Sequence, residues 1–312
     1  MVKRQFGLEL ESFGLTGNQL KKAVSLVTGG NYVDNLHTHH GGVYFDRKTW
    51  QGMADGSITG RFATATRAGS HEMVSPVLKG GKGMKDAEKV IKSLNRQGAK
   101  VDKSTGLHVT FGLDNSRWKK MGKKKRANQL ARIVDTYNWF TPGINTMVAP
   151  SRRGNYFARY ADLNTSLRQK YSAVNLSQFA SGGRVEFRQH QGTLNSKKVR
   201  EWVNVLDKLL NFSTNEEFKN VDFKDYPRTF DGMAKALRLN PAQTSYWKKR
   251  ITALGGSSDT GVFGAGPGDY NRDDFSARPH NYTDSYTQGL SSNYSPDWGA
   301  ITRFQRRHGR VD

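Results

Sequence analysis

The chain is 312 residues long, room for one large domain or two ordinary ones, with 35% hydrophobic residues, 33 glycines and no cysteine. The absence of thiols excludes disulfides, zinc–thiolate centres and thiol catalysis, and no segment approaches the roughly 20 apolar residues that span a bilayer. A net charge of +22, from 49 Lys and Arg against 27 Asp and Glu, favours nucleic acid, nucleotides or anionic surfaces as neighbours and says nothing about fold. The basic start Met1-Val2-Lys3-Arg4 is followed by no secretory apolar core, so the expected location is a cytoplasm.

Residues 5–11 alternate as a strand does. Phe6, Leu8 and Leu10 share one face, and Gly7, Glu9 and Glu11 share the other. The two carboxylates stand ~6–7 Å apart along the backbone. They repel, so they need either solvent or a cation. Thr16 is placed to cap a helix running to about Thr28, with Leu20, Ala23, Val24 and Val27 at core spacing and Gly29-Gly30 ending it. His37, His39 and His40 follow in a Gly-flanked loop without a nearby acidic partner. A structural or substrate-lining role suits them better than a transition-metal site.

Val43 to Asp46 reads as a short strand, Asp55-Gly56-Ser57 as a turn, and 58–77 as an interrupted strand region ending in His71-Glu72-Met73-Val74-Ser75-Pro76. Residues 84–97 form an amphipathic helix through Met84, Ala87, Val90, Ile91 and Leu94, stopped by Gly98. Gly106 to Gly112 is a strand of strict alternation, placing His108 and Thr110 on the polar side. Seven of the ten residues from Arg117 to Arg126 are basic. That cluster is either a solvated face or a non-specific grip on nucleic-acid phosphates, running through Lys119 to Arg126. It leads into a helix bearing Leu130, Ile133, Val134 and Tyr137, and Ser151 to Tyr156 forms a second basic loop.

The densest array of functional groups lies in Gly183 to Thr193. Val185 and Phe187 point to a core, while Arg184, Glu186, Arg188 and His190 point to one surface. Such a strand is either a surface ion-pair ladder or a site where a carboxylate holds a cation and guanidiniums take phosphate oxygens. Ser196 is placed to cap the helix carrying Val199, Trp202, Val203, Leu206, Leu209 and Leu210. Between Phe230 and Leu254 two short helices meet at Leu239-Asn240-Pro241. A helix-turn-helix would want glycine where Arg238 stands, so two helices closing the domain is the preferred reading. After Gly255-Gly256 the chain turns to Gly, Ser, Asn, Tyr and Asp, a composition that makes no core of its own and stays flexible or docks on a partner or larger assembly.

Taken together, Glu9, Glu11, Glu72, His108, Arg184, Glu186 and Arg188 fit hard divalent cations holding nucleotide phosphates. From about Phe6 to Leu210 the motifs resemble the amidoligases with a glutamine-synthetase-like fold. Phe6-Gly7-Leu8-Glu9-Leu10-Glu11 is similar to that family's opening E-x-E strand. Trp50, Asp55-Gly56-Ser57 and Glu72-Met73-Val74-Ser75-Pro76 are similar to its second block. Gly106-Leu107-His108-Val109-Thr110-Phe111-Gly112 is similar to G-x-H-V-H-F-G, and Arg159-Tyr160, Asn175-Leu176 and Arg184 to Thr193 complete the order.

The resemblance implies an α+β fold, a curved antiparallel sheet backed by helices. Its catalytic core covers residues 1–213, followed by a helical extension over 214–255 and an irregular tail over 256–312. It also implies magnesium on Glu9, Glu11, Glu72 and Glu186 with His108 beside them, and Arg188 with Arg184 stabilising the transferred phosphoryl group. Asp55, Ser57 and Asn175 would line the ATP site with Arg188. The implied reaction is ATP-dependent amide formation between a carboxylate and an amine through an acyl phosphate. Thr110 departs from the pattern, standing where the family has a second histidine close to the nucleotide. The competing expectation is an inactive scaffold that serves as a basic, nucleic-acid-associated structural component of an assembly such as a phage virion, in host cytoplasm or in the particle.

Overall fold

A computed structural model describes residues 2–36, 47–55, 57–58, 69–113, 118 and 120–262. The histidines at 37, 39 and 40, the strand expected over 43–46, Arg117, Lys119 and the tail beyond 262 lie outside the described residues. Eight strands form one open sheet in the order β2-β3-β4-β1-β6-β8-β7, with β5 added beside β1. They are β1 (Gln5–Phe13), β2 (Tyr32–Asn35), β3 (Trp50–Ala54), β4 (Ser70–Val74), β5 (Leu78–Lys79), β6 (Gly106–Gly112), β7 (Val174–Asn175) and β8 (Arg184–Gln191). Only β2 and β3 run parallel among these pairs. The fold is α+β with a mostly antiparallel sheet.

Alternation puts the apolar residues of the central strands on one side. Phe6, Leu8 and Leu10 of β1, Leu107, Val109 and Phe111 of β6, and Val185 and Phe187 of β8 are all buried in one core. Phe111 meets Phe187 edge-on at 6.1 Å, and Phe187 meets Tyr137 at 5.5 Å. Tyr137 belongs to a 25-residue helix, Lys123–Met147, so that helix covers the apolar face. The core continues without a break into Trp202, Phe230, Met233, Trp247 and Ile251.

The first helix, α1 (Gly17–Thr28), starts at a reciprocal cap between Thr16 and Gln19 and ends on Gly29 at φ 66°, as its sequence dictates. The second, α2, begins at Gly80, four residues before the start expected from its apolar period. Gly83 permits this early start, because a Cβ there would stand 2.9 Å from the Cβ of Leu78. Lys123–Met147 is α3. Two short helices follow, α4 (Leu163–Arg168) and α5 (Phe179–Gly182). The next, α6 (Ser196–Thr214), is capped by Asn195, whose side chain accepts from the Lys198 N–H, and not by Ser196. Asn195 is the better placed of the two because its backbone is still extended there. Strands β2 and β3 escaped the sequence reading. Gly52 lies in β3 against β2, and a Cβ there would collide with the Tyr32 hydroxyl at 2.3 Å, so the position requires glycine.

Helices α7 (Phe230–Ala236) and α8 (Pro241–Ala253) both pack on α3, as the domain-closing reading requires. Arg238 in the turn between them takes φ 51°, a left-handed conformation usually left to glycine. Two glycines allow close backbone approaches around the start of α7, Gly143 from α3 and Gly232 within α7 itself. A Cβ on Gly143 would stand 2.5 Å from the Thr229 carbonyl carbon, and one on Gly232 2.1 Å from the Pro227 carbonyl oxygen. Both obstacles are backbone, so relief requires moving a helix. Gly143→Ala and Gly232→Ala are each expected to cost about 1–3 kcal/mol or more, measurable as a lower thermal midpoint.

Residues 258–262 return to the body of the molecule. The Val262 N–H donates to Pro142, the Asn145 side chain donates to Val262 in turn, and Ser258 bonds both the backbone and the side chain of Asp231. No helix among the described residues is long and apolar enough to cross a membrane.

Candidate active site

The polar face of β1 and its neighbours gathers acids in register. Glu9 lies directly across from His108 on β6, and Glu11 directly across from Glu72 on β4. Like charges opposite one another weaken a sheet, so the second pairing is an expense unless a cation sits between the strands. Thr110 pairs with Glu186 of β8, bringing a fourth carboxylate to the same place. His108 stands at the centre. Its Nδ1 is 3.0 Å from Glu9 Oε2, 3.5 Å from Glu186 Oε1 and 4.0 Å from Glu72 Oε1, while Nε2 is 3.4 Å from Glu11 Oε1. Glu9, Glu72 and His108 can each offer a donor atom within 4.8 Å of the others.

The imidazole does not neutralise these acids. Burial, helped by the nearby Arg188 charge, lowers its pKa to about 4. Burial raises the carboxyl of Glu9 above the ordinary range, partly offset by Arg188. Glu72 is pushed well up, first by burial and then by the charges of Glu9 and Glu11. Glu186 is raised by burial and by Glu9. Clustered carboxylates whose proton affinity burial raises are the oxygen donors a hard divalent ion takes.

Fixed donors surround the cluster. Glu11 accepts the Gly106 N–H at 2.6 Å, Glu186 accepts from the Asn175 side chain at 2.6 Å, and the Arg188 guanidinium bonds Glu186 directly. Arg188 also donates from Nε to the Phe157 carbonyl at 3.2 Å. Arg184 bonds Gln178 and feels the like charge of Arg47. Asp55 raises the carboxyls of both Glu9 and Glu72 electrostatically. Ser57 is exposed and donates its N–H to Asp55 across a turn, 2.7 Å away. A cavity of about 1030 Å³ opens beside Glu9 and Glu186, lined also by Thr110, Asn175 and Arg184, with Arg47, Lys79 and Trp118 farther along.

The structure thus gathers Glu9, Glu11, Glu72, His108, Glu186, Arg188 and Asn175, with Asp55 in electrostatic reach and Arg184 at the cavity wall. It does not bring His190 to this face. Leu107 pairs with His190 but Val109 pairs with Phe187, so β8 carries one extra residue against β6. This bulge reverses the alternation and turns His190 into the core, fully buried with its ring 5.0 Å from Trp202.

Burial, with Arg250, Lys198 and Arg152 nearby, lowers the His190 pKa to about 3. Its neutral form therefore contributes stability in full above pH 6.5, lost as pH falls toward 3, on the order of 4 kcal/mol. His190→Phe is expected to flatten the acid limb of stability between those values by close to one proton, as read from denaturant melts at stepped pH.

Sequence reading missed Arg152. Grouped with Arg153 as a surface loop, it is 2% exposed and donates to the carbonyls of Gln189 and Arg188 at the bulge. A methyl group on Gly106 would stand 3.1 Å from His108 Nε2, 3.2 Å from Arg152 Nη2 and 3.3 Å from Glu11 Oε1, so these three side chains meet over that glycine. Behind them Tyr137, Gln189, Tyr160 and Asn145 form a closed hydrogen-bond network. Of the basic run, Lys123 and Lys124 are exposed and Lys125 pairs with Glu216.

Residues 2–162 match the model of a family described as "putative amidoligase enzyme", a span holding Glu9, Glu11, Glu72, His108 and Arg152. The chain belongs to the amidoligase family. Membership points to ligase-type chemistry. Among curated proteins no match is found. Asn175, Arg184, Glu186 and Arg188 of this amidoligase lie beyond the matched span, yet register carries Glu186 and Arg188 to the same cluster.

Proposed function

We propose that this amidoligase joins a carboxylate to an amine at the expense of ATP, on a glutamine-synthetase-like core with magnesium held by Glu9, Glu11, Glu72 and Glu186 beside His108. The observation that carries the reading is the in-register pairing of Glu11 with Glu72 inside a cluster whose imidazole, His108, is uncharged at neutral pH. Oxygen donors with raised proton affinity fit a hard cation, whose chemistry would be to neutralise charge on phosphoryl oxygens.

The chain's own groups then have separable tasks. Arg188, fixed between Glu186 and the Phe157 carbonyl, presents a forked donor to phosphoryl oxygens. Arg184 and Arg47 give the cavity a cationic end suited to the rest of a polyphosphate. Asn175 holds the second oxygen of Glu186 and so fixes the rotamer of that carboxylate. The cavity volume suits a nucleotide with a second substrate beside it. Asp55 adds negative charge near Glu9 and Glu72, while Ser57 would act only through the turn it shares with Asp55.

In the proposed reaction the acid's oxygen takes the γ-phosphoryl group. The amine nitrogen then displaces phosphate from the acyl carbon and gives up a proton to solvent at Glu9, the most exposed of the four acids. The test is ADP release from the purified chain with magnesium across panels of amines and acids. Coupled amide formation supports the reading. Absence of turnover, together with absence of any divalent-metal binding, overturns it.

A further inference from the structure

Beside Arg188, two loops build a second surface. Tyr156, Phe157 and Tyr171 meet ring to ring: Tyr156 and Phe157 at 5.2 Å and 89°, Phe157 and Tyr171 at 5.4 Å and 80°, Tyr156 and Tyr171 at 5.6 Å. These rings lie outside the main core, with Tyr156 57% and Phe157 37% exposed. A satellite core would turn them inward. Cations decorate them. The Arg159 guanidinium lies 4.1 Å from the Tyr156 ring centre, and the Lys170 ammonium 5.0 Å from that of Tyr171.

The platform is braced by backbone. The Arg159 N–H donates to Tyr171 at 2.8 Å, the Ala173 N–H to Arg159 at 2.6 Å, and the Arg188 N–H to Ala173 at 3.0 Å. Asn155 fixes the approach by accepting the Phe157 N–H at 2.8 Å. The exposed charged residues of 150–171 are Arg159, Arg168 and Lys170 against one acid, Asp162.

We propose that Tyr156, Phe157 and Tyr171 with Arg159 and Lys170 bind single-stranded nucleic acid, bases stacking on the rings and phosphates on the two cations. Exposed rings interleaved with cations are what unpaired bases on a charged backbone require, whereas an acidic peptide would use the cations and leave the rings idle. A duplex keeps its base faces covered and gains only the charges. None of these five side chains is among the proposed metal or phosphoryl ligands, but the platform abuts Arg188, whose Nε donates to the Phe157 carbonyl and whose guanidinium lies 5.9 Å from the Tyr171 ring centre.

The test is fluorescence anisotropy of the full chain with a labelled 20-nucleotide oligothymidylate and with a 20-base-pair duplex, at several salt concentrations. Tyr156→Ala with Phe157→Ala is expected to weaken strand binding about tenfold or more and leave duplex binding unchanged. Arg159→Gln with Lys170→Gln is expected to flatten the salt slope for the strand by about 1.4. Both pairs are surface changes, checked by an unchanged thermal midpoint. Unchanged strand affinity in the aromatic pair overturns the proposal. So does equal loss of strand and duplex binding, or displacement of the strand by polyglutamate as readily as by unlabelled oligonucleotide, which would assign the surface to an acidic protein.

Discussion

Glu72→Gln is expected to remove divalent-metal binding and, with it, amide formation by about 10³-fold or more, while the protein without metal becomes slightly more stable. The two halves follow from one geometry. Glu72 faces Glu11 across β1 and β4, and burial with the charges of Glu9 and Glu11 pushes its carboxyl well up. A group whose folded pKa is raised favours the fold below its ordinary pKa, and that contribution is lost as pH rises through the folded value. An uncharged amide of the same shape escapes this loss. Filling the site needs the carboxylates unprotonated, so wild type is expected to gain more thermal stability from Mn²⁺ or Mg²⁺ at pH 8 than at pH 5.5. On the proposed reaction, that rate loss would correspond to several kcal/mol of charge stabilisation at the phosphoryl group. Calorimetric titration with Mn²⁺ and melting curves with and without metal check both halves. A Glu72→Gln protein that still binds metal with wild-type affinity would remove Glu72 from the site.

Arg152→Ala is expected to be the most damaging single change outside the aromatic core, lowering stability by about 3–5 kcal/mol, or roughly 10 °C for a chain of this size. Its guanidinium serves the Gln189 and Arg188 carbonyls where the β8 bulge takes them off the ladder. Without it both carbonyls lose this donor in a buried setting, and Glu11, the group that most favours the Arg152 charge, loses that cation. Arg152→Lys is expected to recover little, because one ammonium lacks the planar fork that reaches both carbonyls. Thermal melts of the three proteins decide this, and equal midpoints for Arg152→Ala and wild type would refute it.

Much of this arrangement is readable in the chain because period-two alternation reports which side of a strand a residue occupies. Phe6 to Glu11, Gly106 to Gly112 and Arg184 to Arg188 each separate apolar from polar side chains, and each does so in the fold. The Thr16 cap and the Gly29 stop are equally local and equally legible. His190 was misplaced because a bulge depends on the partner strand's register, which no local pattern encodes. Arg152 was hidden for a different reason. Sequence distinguishes a buried arginine from its exposed neighbours only through the carbonyls it serves, and those lie 36 and 37 residues away. Strands β2 and β3 span only four and five residues, too few for alternation to declare itself.

The opening strand is fastened from far along the chain. The Val2 N–H donates to Asn204, the Lys3 N–H to Asp207, and the Arg4 guanidinium to Asp207 and Thr214. Closing these contacts brings together residues about 200 positions apart, a separation that slows folding through the entropy of joining distant ends. A ribosome-bound chain that has not yet released α6 leaves the strand bearing Glu9 and Glu11 without its clamp, so assembly of the candidate site is expected to wait until α6 has emerged.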